Sequence, residues 1–102
     1  IDSGISGQIG TAVAVKMRQI ARNHQVLCIT HLPQIAAYAN QQYLVYKEET
    51  GEHTRSNAIL LTPEQRAREI ARIMGSVGTD PVALEHAKQL IDAAEENIRR
   101  AF

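Results

Sequence analysis

The stretch of sequence that decides the fold is Val26-Leu27-Cys28-Ile29-Thr30-His31-Leu32-Pro33-Gln34. It opens with four consecutive apolar residues, a pattern typical of a β-strand covered on both faces, as in a parallel sheet. We therefore predict a buried strand over residues 25–30. Thr30 and His31 would lie at its carboxyl end, which is where open α/β sheets bind ligands.

The segments around this strand carry signals for helices and a hairpin. The predicted elements, in chain order, are a helix over 7–24 with Ser6 as its N-cap, the strand over 25–30, a short helix over 33–40, a hairpin with strands over 42–49 and 54–61, a helix that begins after Thr62 and a last helix that begins after Asp80. Thr62 and Gln65 have the spacing of a capping box, with Pro63 between them at the first helical position. A lone buried-type strand needs parallel neighbours, so we expect the chain to be a piece of a larger α/β unit.

Apolar residues recur at helical spacing in three of these helices. The predicted buried faces are Ile9, Val13, Met17, Ile20 and Ala21 in the first, Ala67, Ile70, Ala71 and Met74 in the next-to-last, and Leu84, Ala87, Ile91, Ala94 and Ile98 in the last. On the first helix, Lys16, Arg18 and Arg22 are predicted to face water.

Length and composition limit the classes of protein that are possible. A chain of 102 residues forms at most one compact domain, and 44% hydrophobic content is ordinary for a globular protein. Eleven basic and eleven acidic residues cancel, which argues against a strongly basic nucleic-acid surface on this piece. No apolar run approaches the roughly 20 residues needed to span a bilayer, so no membrane partner is expected. The single cysteine, Cys28, cannot form an internal disulfide, and we predict a buried thiol in a reducing compartment.

The opening run Ile1-Asp2-Ser3-Gly4-Ile5-Ser6-Gly7 stands one helix ahead of Thr30-His31-Leu32-Pro33-Gln34. This pair of blocks, in this order and at this separation, resembles the catalytic head of the RecN family. RecN proteins are bacterial DNA-repair ATPases related to the SMC proteins and to ABC-type ATPases. The resemblance continues through residues 43–49 and 71–75, and it covers nearly the whole chain.

The resemblance implies an α/β fold. Residues 1–102 would be the C-terminal part of a P-loop ATPase head of the ABC/SMC type, an incomplete domain. It would consist of a parallel-sheet strand with helices, followed by a β-hairpin and two C-terminal helices. Residues 3–6 would be the D-loop, and residues 30–34 the loop that carries the switch histidine.

The same resemblance assigns the site residues. His31 would be the catalytic switch histidine, in contact with the γ-phosphate of ATP and the attacking water. Thr30 and Gln34 would support it in binding the nucleotide. An interface with a second head would be formed by Asp2, Ser3, Gly4, Ile5 and Ser6. Many ABC-type proteins have an aspartate where Ser6 stands, so no carboxylate role is carried over to that position.

The residues themselves also allow an interpretation in which none of them has a catalytic or binding role. A neutral imidazole both donates and accepts a hydrogen bond, which suits a residue between a phosphate and a water. His31 could equally be a surface histidine that ends a strand, Thr30 an ordinary strand residue and Gln34 an exposed residue of a first helical turn. Cys28 and His31 have a Cys-x-x-His spacing, but a zinc site needs about four ligands and a strand directs these two side chains to opposite faces. We predict no metal site.

ATP and Mg²⁺ would be bound by the intact protein rather than by these residues alone. The chain contains no Gly-x-x-x-x-Gly-Lys-Ser/Thr, no Leu-Ser-Gly-Gly-type signature and no Walker B carboxylates. We therefore predict that the isolated 102 residues neither bind ATP tightly nor hydrolyse it. The implied partners are the remainder of the same chain (the P-loop lobe and a coiled coil), a second head in an ATP-sandwiched homodimer, and DNA.

The resemblance places the intact protein in the cytoplasm, associated with the nucleoid, in double-strand-break repair, recombination and the SOS response. Two other interpretations stay open. One is a head fragment of another SMC-like or ABC-like protein. The other is a non-enzymatic interaction module whose hairpin and last helices dock onto a partner protein.

Overall fold

Four helices and one β-hairpin make up the part of the chain that the structure, a computed structural model, describes: residues 7–75 and 80–102. The elements are α1 (Gly7–Ile20), α2 (Pro33–Ala36), β1 (Tyr43–Thr50), β2 (His53–Leu60), α3 (Pro63–Ile73) and α4 (Pro81–Ala101). The mixed helix and strand content agrees with the predicted class, and each predicted helix has a counterpart. The Ser6 cap predicted for the first helix lies outside the described residues.

The predicted hairpin is confirmed, with both strands shifted by one residue. β1 and β2 run antiparallel, in register from Tyr43 opposite Leu60 to Thr50 opposite His53. Gly51 has a φ of +62° in the tight turn between them, a conformation that glycine adopts without steric cost. Most residues of both strands are exposed, so the hairpin is a two-stranded ribbon with little cover on either face.

The buried strand predicted over residues 25–30 is wrong for this structure. These residues have no regular secondary structure, and Leu27 and Ile29 are 87% and 90% exposed. Cys28 is exposed as well, against the expectation of a buried thiol. A strand needs a neighbouring strand for its backbone hydrogen bonds, and within residues 7–75 and 80–102 the two strands pair with each other. The described sheet is therefore an antiparallel pair, and it is not parallel.

α1 buries a face that overlaps the predicted one only in part, since Met17 packs against the core as predicted. Its close-packed residues are Gly10 and Ala14, whereas Ile9 and Ile20 are 55% and 51% exposed. The prediction assumed a sheet beneath the helix, but α1 packs against α2 and α4 instead. The helix ends at Ile20, four residues earlier than predicted, and the chain continues as a turn to His24.

The core lies between the four helices and is built mainly from alanine, which lets the helices approach closely. Its buried residues are Ala14, Ile35, Ala36, Ala37, Tyr38, Ala67, Ile70, Ala71, Ala87, Ala94 and Ile98. The stripes predicted for the last two helices are confirmed, with Met74, Leu84 and Ile91 partly buried at their edges.

The predicted helix starts are also confirmed. The Thr62 hydroxyl accepts a hydrogen bond from the backbone N–H of Gln65 at 3.2 Å, and the Gln65 side chain accepts one from the N–H of Thr62 at 2.9 Å. Asp80 caps α4 by accepting from the N–H of Val82 at 3.0 Å. α2 is shorter than predicted and ends at Ala36 rather than near Asn40. None of the described helices is long and apolar enough to cross a membrane.

Replacing Ile70 by alanine tests the core. Ile70 is fully buried where α3 meets the other helices, so Ile70→Ala is expected to lower the free energy of unfolding by about 2–5 kcal/mol. Val82→Ala, at a position that is 78% exposed, should change it by less than about 0.5 kcal/mol. Urea unfolding followed by circular dichroism measures both variants, and equal losses would contradict this description of the core.

Candidate functional site

The candidate residues that the structure describes lie between the end of α1 and the first turn of α2. His31 is exposed, while Thr30 and Gln34 are half-buried. Asp2, Ser3, Gly4, Ile5 and Ser6, predicted to form an interface with a second head, lie outside the described residues.

The backbone on both sides of His31 is fixed by hydrogen bonds. The Thr30 hydroxyl accepts from the N–H of Leu32 at 3.0 Å, a local side-chain turn of the kind that threonine favours. The Leu32 carbonyl then accepts from the N–H groups of Ile35 and Ala36, at 3.1 and 3.0 Å, which starts α2. The Thr30 hydroxyl thus stabilises the peptide that follows His31.

The far end of α2 is held by two arginines from other helices. The Arg66 guanidinium, on α3, donates to the carbonyls of Ala36 and Ala37 at 3.1 and 2.9 Å. Arg18, on α1, donates to the carbonyl of Tyr38 at 2.8 Å. The last carbonyls of a helix have no partner within the helix. Here arginine side chains supply donors, and the N–H of Ala39 also donates to the Ala36 carbonyl at 3.2 Å.

Further contacts extend this network to the hairpin and to α4. Arg66 also donates through Nε to the side-chain oxygen of Gln42 at 3.2 Å, one residue before β1. The Tyr38 hydroxyl accepts from the side-chain amide of Asn97, on α4, at 2.7 Å. The short segment after His31 is therefore tied to every other helix and to the base of the hairpin.

Sequence reasoning missed both arginines. It placed Arg18 on the water-facing side of α1, although the residue is half-buried and bonded to Tyr38. Arg66 precedes the first residue of the α3 stripe, and periodicity assigns no role to such a flanking position. Both bonds join residues 20 or more apart in sequence, and no local pattern encodes contacts of that range.

Burial and two neighbouring charges act on the pKa of the Arg66 guanidinium. Desolvation by burial lowers the pKa of Arg66, and Arg18 lowers it further, while Glu95 on α4 raises it. An arginine keeps its proton under such conditions because its unperturbed pKa is so high. A permanent positive charge therefore lies at the carbonyl end of α2.

Two concave regions lie near these elements, and neither is lined by His31. A cavity of about 120 Å³ between α1, α2 and α4 is lined in part by Gln34 and Tyr38. A broader groove of about 500 Å³ lies at the base of the hairpin and is lined in part by Arg66 and Lys88. Within the described residues, no three His, Cys, Asp or Glu side chains come together to hold a metal ion. The candidate site is thus an exposed histidine on a well-supported loop.

Known proteins resemble this chain along most of its length. No protein-family model matches it. A DNA repair protein RecN from Halalkalibacterium halodurans is 40% identical over 94 residues, which is 92% of this chain and 17% of that protein. The chain is a homologue of one segment of RecN. The RecN proteins of Treponema pallidum and Bacillus subtilis are 38% and 34% identical over 99 and 96 residues, 97% and 94% of this chain.

The comparison confirms the RecN resemblance drawn from the two sequence blocks. The chain spans about one sixth of the length of these RecN relatives. The described residues of the chain supply a candidate histidine, His31.

Replacing Thr30 tests how the loop that carries His31 is held. Thr30→Val keeps the shape of the side chain but removes the acceptor for the Leu32 N–H. A net loss of about 0.5–1.5 kcal/mol is expected to speed hydrogen exchange of the Leu32 amide by roughly threefold to tenfold. Exchange is measured by nuclear magnetic resonance, with Thr30→Ser, which keeps the hydroxyl, as the matched control. If Leu32 exchanges equally fast in the threonine and valine forms, the bond does not hold the loop.

Proposed function

We propose that this chain is part of an ATP-hydrolysing head of a RecN-type protein acting in DNA double-strand-break repair and recombination. The observation that carries the proposal is the similarity to DNA repair proteins named RecN over 92–97% of the chain. An exposed histidine on a loop fixed from both sides supports it. The repair and SOS roles belong to the whole protein, in the cytoplasm and on the nucleoid.

In this proposal His31 is the switch histidine. Its imidazole is exposed at the start of α2, so a phosphate or a water can approach it. One ring nitrogen would donate to the terminal phosphate and the other would accept from the attacking water. Phosphoryl transfer depends mainly on positioning and on stabilising spread-out charge, and a fixed histidine supplies both.

Thr30 and Gln34 would assist His31 in different ways. Thr30 would act through the backbone, because its hydroxyl accepts from Leu32. Gln34 lies one turn on, half-buried beside the cavity between α1, α2 and α4, and would support His31 in binding the nucleotide. Residues 2–6 would form the D-loop contact with a second head.

A second part of the proposal concerns the fold of residues 26–29. Val26, Leu27 and Ile29 are all exposed and lie close together in the sequence, and contiguous exposed apolar surface marks a site of interaction. We infer that this segment is a strand of a parallel sheet in the complete head, paired with strands from the remainder of the protein. The predicted strand would then be correct for the assembled head, although it is not formed by the described residues.

The remaining parts of the ATPase would come from elsewhere in the protein. The described residues provide no cluster for Mg²⁺, and the sequence contains no P-loop lysine. ATP and Mg²⁺ would therefore be held chiefly by the P-loop lobe and the Walker B acids. We propose that the isolated chain is inactive, and that a second head and DNA are partners of the whole protein.

Thiol labelling tests the sheet. Cys28 is exposed in the chain, so a maleimide is expected to label it readily. In the full-length protein, a strand covered on both faces should protect it, with labelling at least about tenfold slower. Mass spectrometry of the peptide that contains Cys28 measures both rates. Equal labelling in the two proteins would contradict the proposed strand.

ATP turnover of the full-length protein tests the role of His31. His31→Ala removes the group that would orient water and phosphate, so turnover should fall by roughly 10²-fold or more while ATP binding stays nearly unchanged. His53→Ala, at an exposed residue of β2, is the control and should turn over normally. Unchanged turnover in His31→Ala would return His31 to an ordinary surface histidine.

A further inference from the structure

The turn after His31 is too short to hold its own shape. α2 contains four residues, far fewer than the roughly 12 or more that an isolated helix needs in water. Its position therefore depends on contacts with other elements. Burial of Ile35 supplies one of them, with 4% of its surface exposed. The arginine bonds at its carbonyl end are further contacts of this kind.

We propose that Arg66 and Arg18 are positioning residues for His31, a role that rests on the proposed function of that histidine. Each arginine reaches from a different helix to the carbonyl end of α2, Arg66 from α3 and Arg18 from α1. Neither needs to touch substrate. They hold the far end of the segment whose near end carries His31.

The path from the arginines to His31 is short and continuous. Arg66 bonds the Ala36 carbonyl, and the Ala36 N–H donates to the Leu32 carbonyl at 3.0 Å. The Leu32 N–H in turn donates to Thr30, so His31 lies between two residues joined to each other by a hydrogen bond. A shift of α2 would move the Leu32 peptide and with it the direction of the imidazole.

Arg66 makes more of these hydrogen bonds than Arg18 does. Its guanidinium uses two nitrogens for three acceptors: the carbonyls of Ala36 and Ala37, and the Gln42 side chain. A lysine would keep the charge but could not reach this set, because its donors radiate from one atom. Arg18 donates one hydrogen bond to this segment, to the Tyr38 carbonyl at 2.8 Å, so its loss should be milder.

The experiment is a double-mutant cycle in the full-length RecN-type protein that contains this chain. It combines Arg66→Met with His31→Ala and measures kcat, KM and equilibrium ATP binding. A residue that acts through His31 has nothing to act on once the imidazole is gone. We expect Arg66→Met alone to lower kcat by roughly 10- to 100-fold, since small misplacements of a reacting group have effects of that size. ATP binding should stay unchanged, and Arg66→Met should add less than about twofold to the loss in His31→Ala.

Three further variants serve as controls for the double-mutant cycle and extend it to Arg18. Arg68→Met is the matched control on α3, because Arg68 is exposed and pairs with Glu64 at 3.8 Å, and it should leave kcat unchanged. Arg66→Lys should recover only part of the activity. Arg18→Met should give a smaller loss that also disappears in the His31→Ala background. It carries the same cycle if Arg66→Met fails to fold.

The outcomes separate this inference from the function on which it rests. If His31→Ala keeps full turnover, the proposed function fails and the positioning role fails with it. If His31→Ala is slow but the arginine variants lower kcat equally in both backgrounds, the histidine role stands and the inference is overturned. Normal kcat in Arg66→Met and Arg18→Met would overturn it as well.

Discussion

A guanidinium held among backbone carbonyls is the contact on which the arrangement of this chain depends. The Arg66 side chain extends from α3 and donates to two carbonyls at the end of α2 and to Gln42 before β1. Removing a charged group from water is costly unless its hydrogen bonds are replaced, and here three acceptors replace them. One side chain thereby sets the spacing between α2, α3 and the base of the hairpin.

The parts of the fold that were predictable are those encoded by neighbouring residues. The capping box of Thr62 and Gln65, the Asp80 cap and the apolar stripe through Ile70 depend on spacings of two to four residues. The hairpin likewise follows from a glycine turn between two runs of β-forming residues. In each case the sequence carries the interaction and its geometry in the same short window.

Neighbouring residues alone do not decide whether residues 25–30 form a strand. Their apolar side chains fit a strand, but a strand exists only where another strand accepts its hydrogen bonds. α1 shows the same dependence, since Ile9 was assigned to a buried face whose covering layer the described residues do not supply. At the candidate site, His31 was recognisable from the sequence, both by its residue type and position and by the family resemblance. The arginines that support α2 emerged only from the folded contacts.

The hairpin, unlike the helices around it, lies outside the hydrophobic core. Its strands are paired chiefly with each other, and a two-stranded ribbon with exposed faces has marginal stability on its own. The alanine-rich core joins α1 to α4 without including any residue of β1 or β2. Opening of the ribbon from its Gly51 turn would leave that core intact. Among the described residues, the hairpin is therefore expected to open independently of the helical core, with the boundary between the two units at the hydrogen bond from Arg66 to Gln42.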